Sequence, residues 1–170
     1  AGFAFLTHGF TGPLWIGATV LALTAVGARY RSRPHLLATI AALLAFGVVA
    51  AAWPAMLLLA APDHLAGWWA RQLPAGIGTT LGGDPLSLAK NLPWFAWPVL
   101  PLALWTLWMR GRGFNGGLRV PGVEIPATLA GVMIVGLALL SESRAIMVMP
   151  LLVPLCLIAA LEIDTLKRGF

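Results

Sequence analysis

Few side chains of this 170-residue chain could do chemistry, and most of those lie between apolar runs rather than inside them. Arg71, Lys90 and Arg144 are cations in such positions. Each could form charge-assisted hydrogen bonds with the phosphate of a lipid whose tail stays in a bilayer. The alternative for each is a side chain that only reaches the membrane surface and meets anionic headgroups. Glu142 could orient Arg144 or bind a substrate hydroxyl, and its alternative is a solvated loop carboxylate.

Histidine and cysteine chemistry is weakly indicated. His8 and His64 are far apart, and no third ligand stands at a fixed spacing from either, so the sequence predicts no metal site. Cys156 is the single cysteine and lies in an apolar run, which excludes an internal disulfide framework and a cysteine-based metal site.

The composition predicts a polytopic membrane protein. Hydrophobic residues make up 59% of the chain and charged residues 10%, and the mean hydropathy is +0.88. A soluble core of this length does not need so much apolar surface. The net charge of +5 would suggest nucleic acid binding in a soluble protein. Here the basic residues cluster in short loops between apolar runs, so we expect membrane lipids and no nucleic acid as partners.

About five membrane-spanning helices are predicted, in a single transmembrane domain covering 1–170. A span needs about 17 to 25 mostly apolar residues to cross roughly 30 Å of hydrocarbon. The runs that meet this requirement are 10–28, 36–60, 93–109, 123–140 and 145–161. Prolines within or beside several of these runs predict kinks. The apolar opening and ending of the chain indicate a piece of a longer protein.

The basic residues predict the orientation. Short basic loops stay on the cytoplasmic side, so Arg29 to Arg33 is assigned inside and the other loops follow by alternation. Eight of the 11 basic residues then fall inside, and only Arg71, Lys90 and Arg144 fall outside. The tryptophans agree, because indole rings prefer the headgroup layer. Trp94 and Trp97 would mark the outer end of the third span, and Trp105 and Trp108 its inner end.

Charged residues are absent from the middles of the predicted spans. Ion pumps and proton-coupled transporters usually need such groups at membrane depth, so transport is disfavoured. The outer segment 61–92 contains Trp68 and Trp69, and its first part is predicted to form a short helix lying in the interface. The Gly-rich stretch 76–83 has no following Lys-Ser or Lys-Thr, so it is predicted to be a flexible loop and not a P-loop.

Three ordered motifs resemble a known family. Phe5-Leu6-Thr7-His8-Gly9-Phe10 precedes the first span, and Asn91-Leu92-Pro93-Trp94 opens the third. Ser141-Glu142-Ser143-Arg144 is followed by Met149-Pro150-Leu151-Leu152-Val153-Pro154. In order and spacing these resemble the aminoarabinose lipid A transferases and related protein mannosyltransferase-type enzymes, which are C-type membrane glycosyltransferases. The resemblance covers nearly the whole chain, but only the middle and later part of that membrane domain.

The resemblance implies transfer of a sugar from a polyprenyl-phosphate donor to a lipid or protein acceptor, at the periplasmic face of a bacterial inner membrane. His8, Arg71 and Arg144 would bind the donor phosphate, with Lys90 as a weaker candidate. The donor is a substrate and no cofactor is implied, although a divalent metal could assist. The family's catalytic carboxylate lies in an earlier loop, so no catalytic residue is assigned in this chain.

Two departures from the family pattern stand out. His8 takes the place of a lysine and would be largely neutral at neutral pH, which weakens its attraction for phosphate. Met147 stands near an expected tyrosine and has no hydroxyl. These changes indicate a different sugar or acceptor, or a divergent and inactive branch. The alternative function is a non-enzymatic membrane subunit or scaffold whose outer charges anchor helices.

Overall fold

The structure, a computed structural model, describes residues 11–72, 85–139 and 148–163. Throughout these ranges the regular elements are helices and there is no β-strand, so the predicted all-α class is confirmed. The α-helices are α1 Thr11–Val26, α2 Arg33–Ala60, α3 Pro62–Gln72, α4 Pro85–Phe95, α5 Val99–Gly111, α6 Pro121–Leu139 and α7 Leu152–Ala160. Single 3₁₀ turns lie at Ala28–Arg31, Phe114–Gly116 and Met149–Leu151.

Fewer helices can cross a membrane than the five predicted. Among the described residues, only α2 and α6 are each long and apolar enough, and the bent pair α4–α5 would make a third. The described part of α1 has 16 residues, which at about 1.5 Å per residue cover about 24 Å. In place of the predicted span 145–161, the apolar helical segment among the described residues is Met149–Ala160. The prediction of five full-length spans is therefore wrong for the part of the chain that is described.

The predicted third span is broken near its outer end. Leu88–Phe95 and Val99–Gly111 are inclined to one another by 100°. Pro98 precedes α5 and has no amide hydrogen for the helical ladder, which accounts for a break at this point. Pro101 lies in the first turn of α5, where a missing N–H costs little because it has no intrahelical acceptor. In contrast, α2 continues through Pro54 and α6 through Pro126.

The chain divides into two compact units, Ala1–Thr79 and Thr80–Phe170, and each is described by itself. The prediction of one transmembrane domain stays a prediction. In the first unit, a tight turn joins α1 to α2. Gly27 donates its amide hydrogen to the Leu23 carbonyl at 2.8 Å and accepts one from Tyr30 at 3.1 Å. Tyr30 is buried, and its ring lies over Gly27 so closely that a Cβ there would be 2.7 Å from Cδ2.

Arg31 ties the same turn to the end of α1. Its Nε donates to the Thr24 carbonyl at 2.8 Å and its Nη2 donates to the Ala25 carbonyl at 2.6 Å. These carbonyls belong to the last turn of a helix, where no further amide completes the ladder and the helix dipole favours a cation. Arg31 is therefore a helix cap as well as a charge in the basic loop.

Helix α2 has a continuous exposed apolar surface. Its 28 residues include none that is buried, although leucine and alanine dominate its composition. Leu44 is 68% exposed and Val48 is 74% exposed. A soluble protein rarely leaves an apolar surface of this extent uncovered. Its length and apolar surface suit α2 to a membrane.

The second unit is built around α7, which packs against both α5 and α6. The buried positions of α6 follow a spacing of three and four residues, which is one face of a helix. They are Val123, Pro126, Ala130, Met133 and Leu137. From α7 and the turn before it, Leu151, Leu155 and Ile158 are buried with them. Helix α4 packs on α6 and completes this core.

Replacing Gly27 by alanine tests the tight turn. We expect Gly27→Ala to destabilise the protein by roughly 1 to 3 kcal/mol, because the added methyl overlaps the buried Tyr30 ring. The melting temperature of the purified chain in detergent measures this effect. Gly17→Ala in α1 is the matched control, since among the described residues nothing outside the local helix backbone lies within 4 Å of its added Cβ. Equal losses in both variants would show that the turn has no special packing requirement.

Candidate functional site

The structure describes the four predicted donor-binding residues to different extents. His8 and Arg144 lie outside the described residues, as does Glu142. Arg71 is the tenth residue of α3, and its side chain is also outside them. Lys90 is in α4 and is exposed. Their convergence on one donor phosphate stays a prediction.

Helix α3 confirms the short helix predicted around the tryptophan pair. It begins directly after α2, where the Ala61 amide donates to the Leu57 carbonyl at 2.8 Å. The rings of Trp68 and Trp69 are stacked, with centroids 5.1 Å apart and planes inclined by 9°. Asp63 and His64 in its first turn are exposed. An amphipathic helix at the end of an apolar helix has the composition expected of an interfacial segment.

Lys90 lies on the exposed face of α4. Residues 86, 90 and 94 recur at intervals of four, and so share one side of the helix. Leu86 is 61% exposed and Trp94 is 87% exposed, while Leu88 on another face is buried. Lys90 is thus a cation flanked by two exposed apolar side chains. A lipid phosphate with its tail, or the headgroup layer in general, would fit this arrangement.

A buried ion pair joins the ends of α5 and α7. Arg110 Nε donates to Glu162 Oε1 at 2.7 Å, and the two side chains are only 10% and 3% exposed. Arg110 lies on the face of α5 that also buries Ala103 and Thr106. A buried guanidinium and carboxylate tolerate loss of water only because they satisfy one another. The pair therefore fixes the lateral position of α5 against α7.

The sequence reasoning missed this pair. It placed Arg110 in an inner loop and gave Glu162 no role. The sequence did contain a signal for this pair. Arg110 and Glu162 each directly follow an apolar run, and the predicted alternation of spans put both on the same side of the membrane. Their contact brings together the ends of the predicted third and fifth spans.

Across residues 11–72, 85–139 and 148–163, no three His, Cys, Asp or Glu side chains are grouped so that they could hold a metal ion. No known protein family, curated protein or solved structure matches the chain.

Removing one partner of the buried pair should strongly destabilise the second unit. We expect Glu162→Gln to cost about 3 to 5 kcal/mol, because it leaves the Arg110 charge buried without its counter-charge. Replacing both partners, Arg110→Met with Glu162→Leu, should recover most of that loss, since no charge is then buried. Melting temperatures of the purified variants in detergent measure both effects.

Arg119→Met is the control for the arginine substitution, since Arg119 is exposed in the following loop. It should leave the melting temperature nearly unchanged. A double variant as unstable as Glu162→Gln would contradict a role limited to charge compensation.

Proposed function

We propose that this chain is the donor-binding part of a membrane-embedded glycosyltransferase. The donor is a polyprenyl-phosphate sugar and the acceptor is a lipid or protein at the periplasmic face of a bacterial inner membrane. Helices that are long and apolar enough to cross a membrane, and the ordered motifs of the sequence, support the proposal. The structural observation that carries it is Lys90, exposed between Leu86 and Trp94 on α4.

This arrangement suits a lipid phosphate for a physical reason. The ammonium group of Lys90 can pair with phosphate oxygens, and the two apolar neighbours can contact the prenyl chain. Helix α4 leads into α5 through a sharp bend, and that bend keeps α4 from continuing in the direction of α5. A short helix inclined to its neighbour can lie along the membrane surface, where polyprenyl phosphates have their headgroups.

The proposed cations act on the leaving group. When an acceptor attacks the anomeric carbon, the bond from that carbon to the phosphate oxygen breaks, and negative charge grows on the phosphate. Arg71 and Arg144, assisted by Lys90 and by His8 when its imidazole is protonated, would stabilise that charge more than they stabilise the bound donor. A divalent metal bound with the donor would act in the same sense. No residue of this chain is assigned as the base that deprotonates the acceptor.

A second candidate is a non-enzymatic membrane subunit. The observation that favours it is α2, which has no buried residue and so offers its full length to a neighbouring protein. In such a subunit the outer cations would anchor helices at the headgroup layer. Binding of a polyprenyl phosphate through specific cations separates the two candidates.

The orientation of α2 can be measured with single cysteines. In a Cys156→Ser background, we expect Asp63→Cys to react with a membrane-impermeant maleimide on intact cells. Ser32→Cys should react only after the membrane is opened, because the basic turn is predicted to lie inside. Both positions are exposed at opposite ends of α2. The reverse pattern would overturn the orientation, and equal labelling on intact cells would show that α2 does not cross.

Donor binding can be measured with a polyprenyl phosphate and, for comparison, the same prenol without phosphate. We expect Arg144→Ala to weaken phosphate-lipid binding about tenfold and Lys90→Gln about threefold, since each removes a charge-assisted contact. Native mass spectrometry of the purified chain in detergent gives both affinities.

Arg29→Gln is the control, because it removes one exposed cation at the predicted inner side. It should leave the affinity unchanged. If the prenol binds as tightly as its phosphate, or if all three variants lose affinity equally, donor recognition by the outer cations is wrong.

A further inference from the structure

Helix α5 has two faces, and an arginine stands at the end of each. Ala103, Thr106 and Arg110 recur at intervals of three and four and are buried against the core of the second unit. On the opposite side, Trp105 and Trp108 are 41% and 47% exposed. Arg112, which ends the helix, continues this exposed face.

The exposed face carries two neighbouring indoles, whose planes are inclined by 39°, and a guanidinium. The ring centroids of Trp105 and Trp108 are 5.1 Å apart, and Arg112 Cζ lies 4.0 Å from the centroid of the Trp108 ring. The amide of Arg112 also donates to the Trp108 carbonyl at 3.2 Å. Side chain and backbone together therefore hold the guanidinium at the edge of the aromatic surface.

The two arginines differ in their partners. Arg110 is paired with Glu162 inside the unit. Arg112 has no acidic partner among the described residues, and its guanidinium lies over the face of Trp108. A guanidinium stacked on an indole keeps its N–H groups at the rim, where they can donate to phosphate oxygens.

The neighbouring residues on this face are apolar. Leu104, toward the start of α5, is 56% exposed. From Arg112 along the helix, the surface therefore changes from a cation to indoles and then to an aliphatic side chain. An anionic phospholipid has the same sequence of chemistry, with a phosphate at one end and acyl chains at the other.

We propose that the face formed by Leu104, Trp105, Trp108 and Arg112 holds an anionic phospholipid. Its phosphate accepts hydrogen bonds from the Arg112 guanidinium, and an acyl chain lies along Trp105 and Leu104. The charge of the site selects an anionic lipid over a zwitterionic one. The lipid would cover the side of α5 that the core leaves exposed. This inference does not depend on the proposed transfer reaction, which uses other residues.

Lipid binding by the purified full chain in detergent tests the proposal. Phosphatidylglycerol and phosphatidylcholine with identical acyl chains are added separately, and bound lipid is counted by native mass spectrometry. We expect phosphatidylglycerol to bind about fivefold more tightly than phosphatidylcholine, and Arg112→Gln to abolish that preference. Trp108→Leu should weaken binding of both lipids, because it keeps the apolar contact but removes the flat surface that supports Arg112.

Arg29→Gln is the matched control, since it removes an exposed arginine from a different loop. It should retain the preference for phosphatidylglycerol. Melting temperatures of all variants check that the fold is kept. The proposal is overturned if the wild type shows no preference between the lipids, or if Arg29→Gln and Arg112→Gln reduce binding equally, because the effect would then be one of net charge.

Discussion

The structure depends on one constraint: in long apolar helices, charged side chains make their contacts at the helix ends. Inside a helix the backbone satisfies its own hydrogen bonds, and a charge there would be costly in an apolar environment. Helix ends still have unsatisfied carbonyls, a dipole and access to the headgroup layer. The described arginines that make contacts follow this division. Arg31 caps α1, Arg110 in the last turn of α5 pairs with Glu162 just after α7, and Arg112 lies over an indole.

The Arg110–Glu162 pair adds a directional contact between the ends of α5 and α7 to the apolar packing of the second unit. A buried pair at 2.7 Å admits few alternatives, since any shift leaves a charge without its partner. The pair also separates the two faces of α5. Arg110 is paired within the core, and the aromatic face of α5 that carries Arg112 stays exposed.

The two proposed binding sites lie at different ends of the bent pair α4–α5. Donor binding is assigned to cations on the predicted outer side, of which Lys90 on α4 is the described example. The phospholipid site is assigned to the far end of the α4–α5 pair. A sharp bend between the two helices allows this separation, because α4 is free to follow a direction different from that of α5. The exposed length of α2 suits both an enzyme embedded in lipid and a subunit that meets a partner.

The sequence by itself determined the helical class, the apolar segments and the loops that carry charge, because these follow from composition and the length of apolar runs. It also located the amphipathic helix around Trp68 and Trp69. It could not show how much of each run is one straight helix. The break before Val99 depends on local hydrogen bonding at Pro98, and apolar composition is insensitive to it.

The tertiary structure alone decided which of the arginines are buried and paired inside the fold. Arg110 and Arg112 are two residues apart and alike in sequence, yet one is buried against Glu162 and the other is exposed over Trp108. Their difference comes from helical periodicity combined with the position of α7, which lies far along the chain. The contact between Arg110 and Glu162 joins residues that are 52 positions apart in the sequence. Only the packing of α5 against α7 brings them together.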